Sequence, residues 1–248
     1  LYPTAFLLRW VTQFLVTFVE FGGLYALFAR FHHIRGWTFP EIALFYGVIS
    51  TSFAIADMSS RGFEMFGPQF VKTGDFDRVL LRPRTATVQL MAFDFGFTSL
   101  GRVAQGLVAL GVAIALLPIA WDIAHVALLL WAILGGLMLF WGILVLQATL
   151  SFWTVESLEI VNTITYGGVE AGQYPLDIYA GWFRRFLIFI VPIGCVTYFP
   201  VATILGHADA AGVPAWTGAV TPLAGLAFLT LAFAAWSRGV RHYTSTGS

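Results

Sequence analysis

Residues Ala124–Leu150 read AHVALLLWAILGGLMLFWGILVLQATL, an apolar run without one Asp, Glu, Lys, Arg or Pro. As a helix rising about 1.5 Å per residue it is ~40 Å long, more than the ~30 Å hydrocarbon core of a bilayer requires. The run is continuously apolar rather than alternating, so it reads as a membrane helix and not as a strand of a barrel. Cutting the rest of the chain at charges, prolines and polar clusters leaves five further segments: Trp10–Ala29, Glu41–Met58, Phe95–Leu117, Arg185–Leu205 and Thr217–Trp236. Each approaches or exceeds the ~20 residues of a crossing. The expected fold is all-α: one transmembrane domain over 1–248, polytopic, with six transmembrane helices and a polar loop at 59–91.

Composition agrees. Hydrophobic residues are 58% of the chain, charged residues 10%, and mean hydropathy is +0.82. A soluble domain carries roughly 25% charged residues, so soluble folding is excluded as an expectation. The net charge is zero, which implies no nucleic-acid surface. The single Cys195 has no partner for an intrachain disulfide. The chain begins at Leu1 without a methionine, so residues before it are expected to be missing. The first apolar segment is too long for a signal peptide and lacks a small-residue cleavage pattern.

Basic residues set the expected orientation. With the N-terminus inside, eleven lie at inner loops and helix ends: Arg9, Arg61, Lys72, Arg78, Arg82, Arg84, Arg102, Arg184, Arg185, Arg238 and Arg241. Arg30 and Arg35 alone lie outside, so N- and C-termini are both expected to be cytoplasmic. Ser151–Trp182, with Glu156, Glu159, Glu170 and Asp177, is expected to be cytosolic too. Between Thr85 and Leu117 no proline interrupts 33 residues. One helix of that length spans ~50 Å, so its first turns should project beyond the membrane. Asp94 and Arg102 lie ~12 Å apart along such a helix, so each should pair with another segment. Pro192 and Pro200 should kink or break the fifth segment.

Motifs for chemistry are missing. Lys72 is the only lysine and no Gly-x-x-x-x-Gly stands directly before it, so this chain has no P-loop. Neither His-Glu-x-x-His nor Gly-x-Ser-x-Gly occurs, and no Cys/His cluster has ligand spacing. No catalytic or metal-binding residue is expected, and the adjacent His32 and His33 read as an ordinary loop pair. Gln13, Thr17 and Glu20 share one helical face, and a carboxylate at that depth should meet protein or water rather than lipid. They are candidates to line a pathway, as is Gln147, for which an interhelical hydrogen bond is the alternative.

The polar loop carries the remaining signal. In Lys72–Met91, KTGDFDRVLLRPRTATVQLM, Gly74 supplies a turn and Asp75 is placed to cap a helix. Phe76, Val79 and Leu80 form an apolar stripe, and Pro83 limits continuation. The short helix is either a positive inner loop lying along anionic lipid or an element that docks into a soluble partner.

Gly74-Asp75-Phe76-Asp77, followed by Leu80-Leu81-Arg82-Pro83, resembles the permease subunits of ABC-2-type transporters, in the branch with six membrane helices. Tyr174-Pro175-Leu176, Arg184-Arg185 and the run through Pro192 to Tyr198-Phe199-Pro200 fit the same resemblance. It implies a transmembrane permease of an ATP-driven exporter, multi-pass in the cell (plasma or inner) membrane. It implies two cytosolic ABC ATPase subunits, which carry the ATP and Mg, and a second permease subunit. It also implies a coupling helix over Asp75–Leu81, with Gly74, Asp75, Phe76, Asp77, Arg78, Leu81, Arg82 and Pro83 contacting the ATPase. Leu1–Arg9 would be the remnant of an interface helix. Two other classes compete: a stand-alone secondary transporter or channel using Glu20, and a membrane-embedded enzyme using Glu20, Asp94, Glu156 and Glu159.

Overall fold

The computed structural model describes residues 21–94, 99–154, 158–207 and 216–243, with single positions 12, 19, 96 and 214. Among them the regular structure is helical apart from one isolated bridge, Ile34 to Trp37. The long elements are α1 (21–31), α2 (Phe39–Ser59), then a series of short helices, α3 (Arg61–Glu64), α4 (Phe76–Leu80) and α5 (Ala86–Met91). They are followed by α6 (Leu100–Leu116), α7 (Ile123–Leu150), α8 (Leu158–Gly172), α9 (Gly181–Phe189), α10 (Ile193–Val196), α11 (Tyr198–Ile204), α12 (Thr217–Val220) and α13 (Leu223–His242).

Local chemistry fixes the helix starts. Thr38 and Glu41 form a reciprocal capping box for α2, with Pro40 in its first turn. Asp122 caps α7 by accepting from the His125 backbone N–H at 2.8 Å. Both helices are apolar on all sides, and both are central: α2 packs on α6, α7 and α8, and α7 on α13. Gly225 permits the α7–α13 approach, since a Cβ there would collide with the Gly135 carbonyl.

Among the described residues three helices are long and apolar enough to cross a membrane: Phe39–Ser59, Ile123–Leu150 and Thr217–His242. A pair bent by 71°, Gly181–Phe189 with Ile193–Ile204, makes a fourth if it counts as one span. Helix α6, at 17 residues, is a shorter apolar helix.

Several expectations need correction. The stretch Thr85–Leu117 is not one helix, because α5 ends at Met91 and α6 begins at Leu100. Between them the Gly96 N–H donates to the Met58 carbonyl (3.0 Å) and Asp94 pairs with Arg61 (3.3 Å), so the backbone turns back to cover the end of α2.

The second correction concerns Arg185–Leu205. Arg184, at its start, and His207, just past its end, both lie against the α1–α2 turn, the first through the Asp177 carbonyl it shares with Arg35, the second through Trp37 and Glu41. In between, Ile193 packs on Gly168 and Gly172, and Val196 lies near Gly136. The bent pair therefore enters the bundle and leaves at the same end.

Helix α8 instead runs lengthwise through Ser151–Trp182, from Asn162 beside Gln147 to Gly172 beside Ile49. Arg184 and Arg185 thus sit at the end opposite the loop. Among the described residues eight basic side chains stay at the loop end and four at the far end, a weaker bias of the same sign.

Candidate functional site

The polar loop is built as a platform. Helix α2 stops where the Ser59 and Ser60 hydroxyls donate back to the Ile55 (2.7 Å) and Ala56 (2.5 Å) carbonyls. After α3 the chain winds wider over Phe66–Val71, with the Lys72 N–H donating to the Gly67 carbonyl at 3.0 Å. Pro68, which has no N–H, sits within that turn. Gly74 takes φ +74°, the left-handed conformation its place before α4 requires.

Asp75 precedes α4 as expected but does not cap it through its side chain. Its carboxylate instead accepts from Arg78 (3.0 Å) and from Thr73 Oγ1 (3.1 Å). Phe76 and Val79 are buried, with Phe76 set edge-on to Phe66 (4.9 Å) and Tyr243 (5.0 Å). Trp236 of α13 and Phe63 of α3 complete this aromatic cluster, so the buried side of α4 is covered by protein rather than left for a lipid surface. The expected stripe is correct for Phe76 and Val79 but not for Leu80, which is 44% exposed, and Leu81 beside it is 86% exposed. Leu80 is the last residue of the helix, at the edge of the stripe and beyond the rings of Phe66, Trp236 and Tyr243 that cover Phe76. Gln89 on α5 then clamps the far side, donating to the Val79 and Arg84 carbonyls, each at 2.8 Å.

The outer surface of α4 therefore carries apolar Leu80 and Leu81 and the exposed cations Arg78, Arg82 and Arg84, with Pro83 between the last two. Two adjoining clefts of about 450 Å³ lie beside α5 and share Arg82, Gln89 and Phe93; one is also lined by Pro83 and Val88, the other by Gln69, Thr73 and Arg78. Asp77 lies half-buried on the same helix.

An ionic cluster joins this platform to the long helices. Asp57 of α2, 5% exposed, accepts from Arg102 of α6 (2.6 Å) and from Ser99 (2.5 Å). Arg102 also lies over the Phe53 ring at 5.5 Å. Asp94 and Arg102 each pair with another segment, as their spacing required.

Glu64 of α3 lies close by, and burial, then the neighbouring Asp57 charge, pushes its carboxyl above the ordinary range while Arg61 and Arg102 pull the other way. A carboxyl whose folded pKa is raised binds more protons folded than unfolded, so stability falls as pH rises through the window above the ordinary value. Glu64→Gln is expected to flatten that decline and to raise the melting temperature at neutral pH, measured as unfolding in detergent across pH 4–8.

Of the candidate pathway residues, Gln13, Thr17 and Glu20 lie outside the described residues. Gln147 is buried and donates to Asn162 of α8 at 3.2 Å. A polar cleft that the sequence reading did not anticipate lies between α2, α6 and α8, lined by Tyr46, Arg102, Gln105, Tyr166, Glu170 and Gln173. Gln105 is hydrogen-bonded to the Tyr46 hydroxyl across it. The available signal was the i, i+4 and i+7 spacing of Tyr166, Glu170 and Gln173, which puts them on one helical face.

A family model described as an ABC-2 family transporter protein matches residues 14–247. No curated protein and no solved structure matches the chain.

Proposed function

Because this chain belongs to the ABC-2 transporter family, we propose that it is the membrane permease subunit of an ATP-driven exporter and that α4 transmits the work of separate ATPase subunits. The six crossings in this reading are the segment ending at residue 31, α2, α6, α7, α8 and the α12–α13 pair. The fifth crossing is α8, and the bent α9–α11 pair re-enters from the far end. The loop end and both termini face the cytoplasm, and the polar cleft beside Arg102 opens toward the translocation route, facing a second permease copy. The assembly sits in the cell membrane.

The observation that carries this reading is the two-sidedness of α4. Phe76 and Val79 anchor it to α13 and α3, while Leu80, Leu81 and Arg82 are exposed. A short helix of this kind fits a groove on a soluble partner. ATP and Mg belong to that partner. Closure of the ATPase dimer would push α4, and the push would pass through the Asp57–Arg102 and Arg61–Asp94 pairs into α2 and α6. The test is to co-express the chain with its ATPase and purify through a tag on the chain. Recovery of the ATPase, with hydrolysis that changes when the two are joined, supports the reading. Solute movement by the chain alone under an ion gradient would overturn it.

A further inference from the structure

At the far end of the bundle a cleft of about 530 Å³ opens between the α1–α2 turn, the Leu176–Ile178 turn and the re-entrant pair. One wall rests on an unusual backbone. Ile34 and Trp37 exchange two hydrogen bonds of 3.0 Å around Arg35-Gly36, whose φ values are +50° and +88°. Such a two-residue turn favours Asn-Gly, and a long side chain held left-handed at its first position costs ~1 kcal/mol or more. Strain of that size persists where the surroundings hold the residue in place.

Here the guanidinium is what is held. Arg35 donates to the Asp177 carbonyl at 2.8 Å, and Arg184 of α9 donates to the same oxygen at 3.3 Å and to the Leu176 carbonyl at 3.1 Å. Two cations are thus fixed by neutral peptide oxygens rather than by carboxylates. The Asp177 carboxylate accepts from the Trp37 indole instead (3.0 Å), and His207 lies beside Glu41 (3.5 Å). Within the cleft lining the two guanidiniums meet one carboxylate, Asp177, while Glu41, the second acid nearby, is turned to Thr38 and His207. A guanidinium offers five donors, and these contacts use one on Arg35 and two on Arg184. The opposite wall is apolar and aromatic, from Ile188, Tyr198 and Phe199.

We propose that this cleft binds an anionic phospholipid of the surrounding bilayer. Arg35 and Arg184 hold the phosphate, and Ile188 and Phe199 take the start of an acyl chain. The forked donors match a phosphate oxyanion, and a bundle end is where arginines reach headgroups. The assignment holds whether or not the chain couples to an ATPase.

The test is native mass spectrometry of the detergent-purified chain offered phosphatidylglycerol and a diacylglycerol of the same chain length. The wild type should retain phosphatidylglycerol at least ~10-fold over diacylglycerol, as charge-assisted hydrogen bonds allow. Arg35→Asn suits the turn better than arginine, so it should fold at least as well by melting temperature and yet lose most of that preference. Arg184→Gln should lose it too, while Arg185→Gln, on the exposed side of α9, should keep it. Equal retention of the two lipids by the wild type, or undiminished preference in folded Arg35→Asn, would overturn the proposal. Displacement of the lipid by low-millimolar inorganic phosphate would also overturn it, because it would mark a site for the free ion.

Discussion

Leu81→Asp should cut recovery of the ATPase subunit with this chain at least ~10-fold, the effect of losing an interface hot spot. The side chain is 86% exposed and follows the half-exposed Leu80 at the end of α4. An exposed apolar pair is suited to an apolar pocket on a partner, where a carboxylate would be desolvated without a counter-charge. The chain itself should be indifferent, since Leu81 is outside its core clusters; melting temperature in detergent should stay within a degree or two of wild type. Phe76→Ala is the contrasting variant. It removes a fully buried ring from between Phe66, Phe152 and Tyr243, a truncation that costs ~3–5 kcal/mol in a packed core. Loss of ATPase with an unchanged melting temperature for Leu81→Asp, but with a lowered one for Phe76→Ala, separates contact from support.

Arg102→Ala should destabilise the chain by ~3–5 kcal/mol, because it leaves the buried Asp57 without its counter-charge. Among the described residues the carboxylate would keep the Ser99 hydroxyl at 2.5 Å. Asp57→Ala combined with Arg102→Ala should recover part of the loss, since removing both charges lifts the desolvation cost that removing one exposes. Unfolding in detergent reads both values. If single and double variants melt alike, the pair does not tie α2 to α6.

The sequence made much of this architecture legible, through a few strong signals. Ala124–Leu150 and Glu41–Met58 appear as α7 and α2 within two residues at each end, because uninterrupted apolar runs leave the chain little choice. Gly74, Phe76 and Pro83 announced a short helix after a turn, and α4 is there. Helix α8 was hidden because Glu159, Asn162 and Glu170 make it look like a polar loop. Its polar face meets Gln147 and the cleft beside Arg102, partners that hydropathy along the chain cannot display. The re-entrant pair was hidden for the opposite reason: its composition is that of a crossing, and the contacts of Arg184 and His207 with the α1–α2 turn reveal that both its ends lie together. Asp57 went unnoticed inside an apolar segment, although an acid there needs a partner and Arg102 was already seeking one. Leu80 was assigned inward by its spacing, but it ends α4 at the edge of the stripe, where the cover over Phe76 and Val79 does not reach.

The contact between α4 and an ATPase is most directly tested by a cysteine at position 81 in a Cys195→Ser background, which removes the native thiol. The purified complex would be treated with a short thiol-to-amine crosslinker and resolved by mass. Crosslinks from position 81 to the ATPase, absent from a matched cysteine at Arg35 on the far end, are the predicted result. An ATPase that co-purifies yet crosslinks from the far end, and never from position 81, would contradict the account.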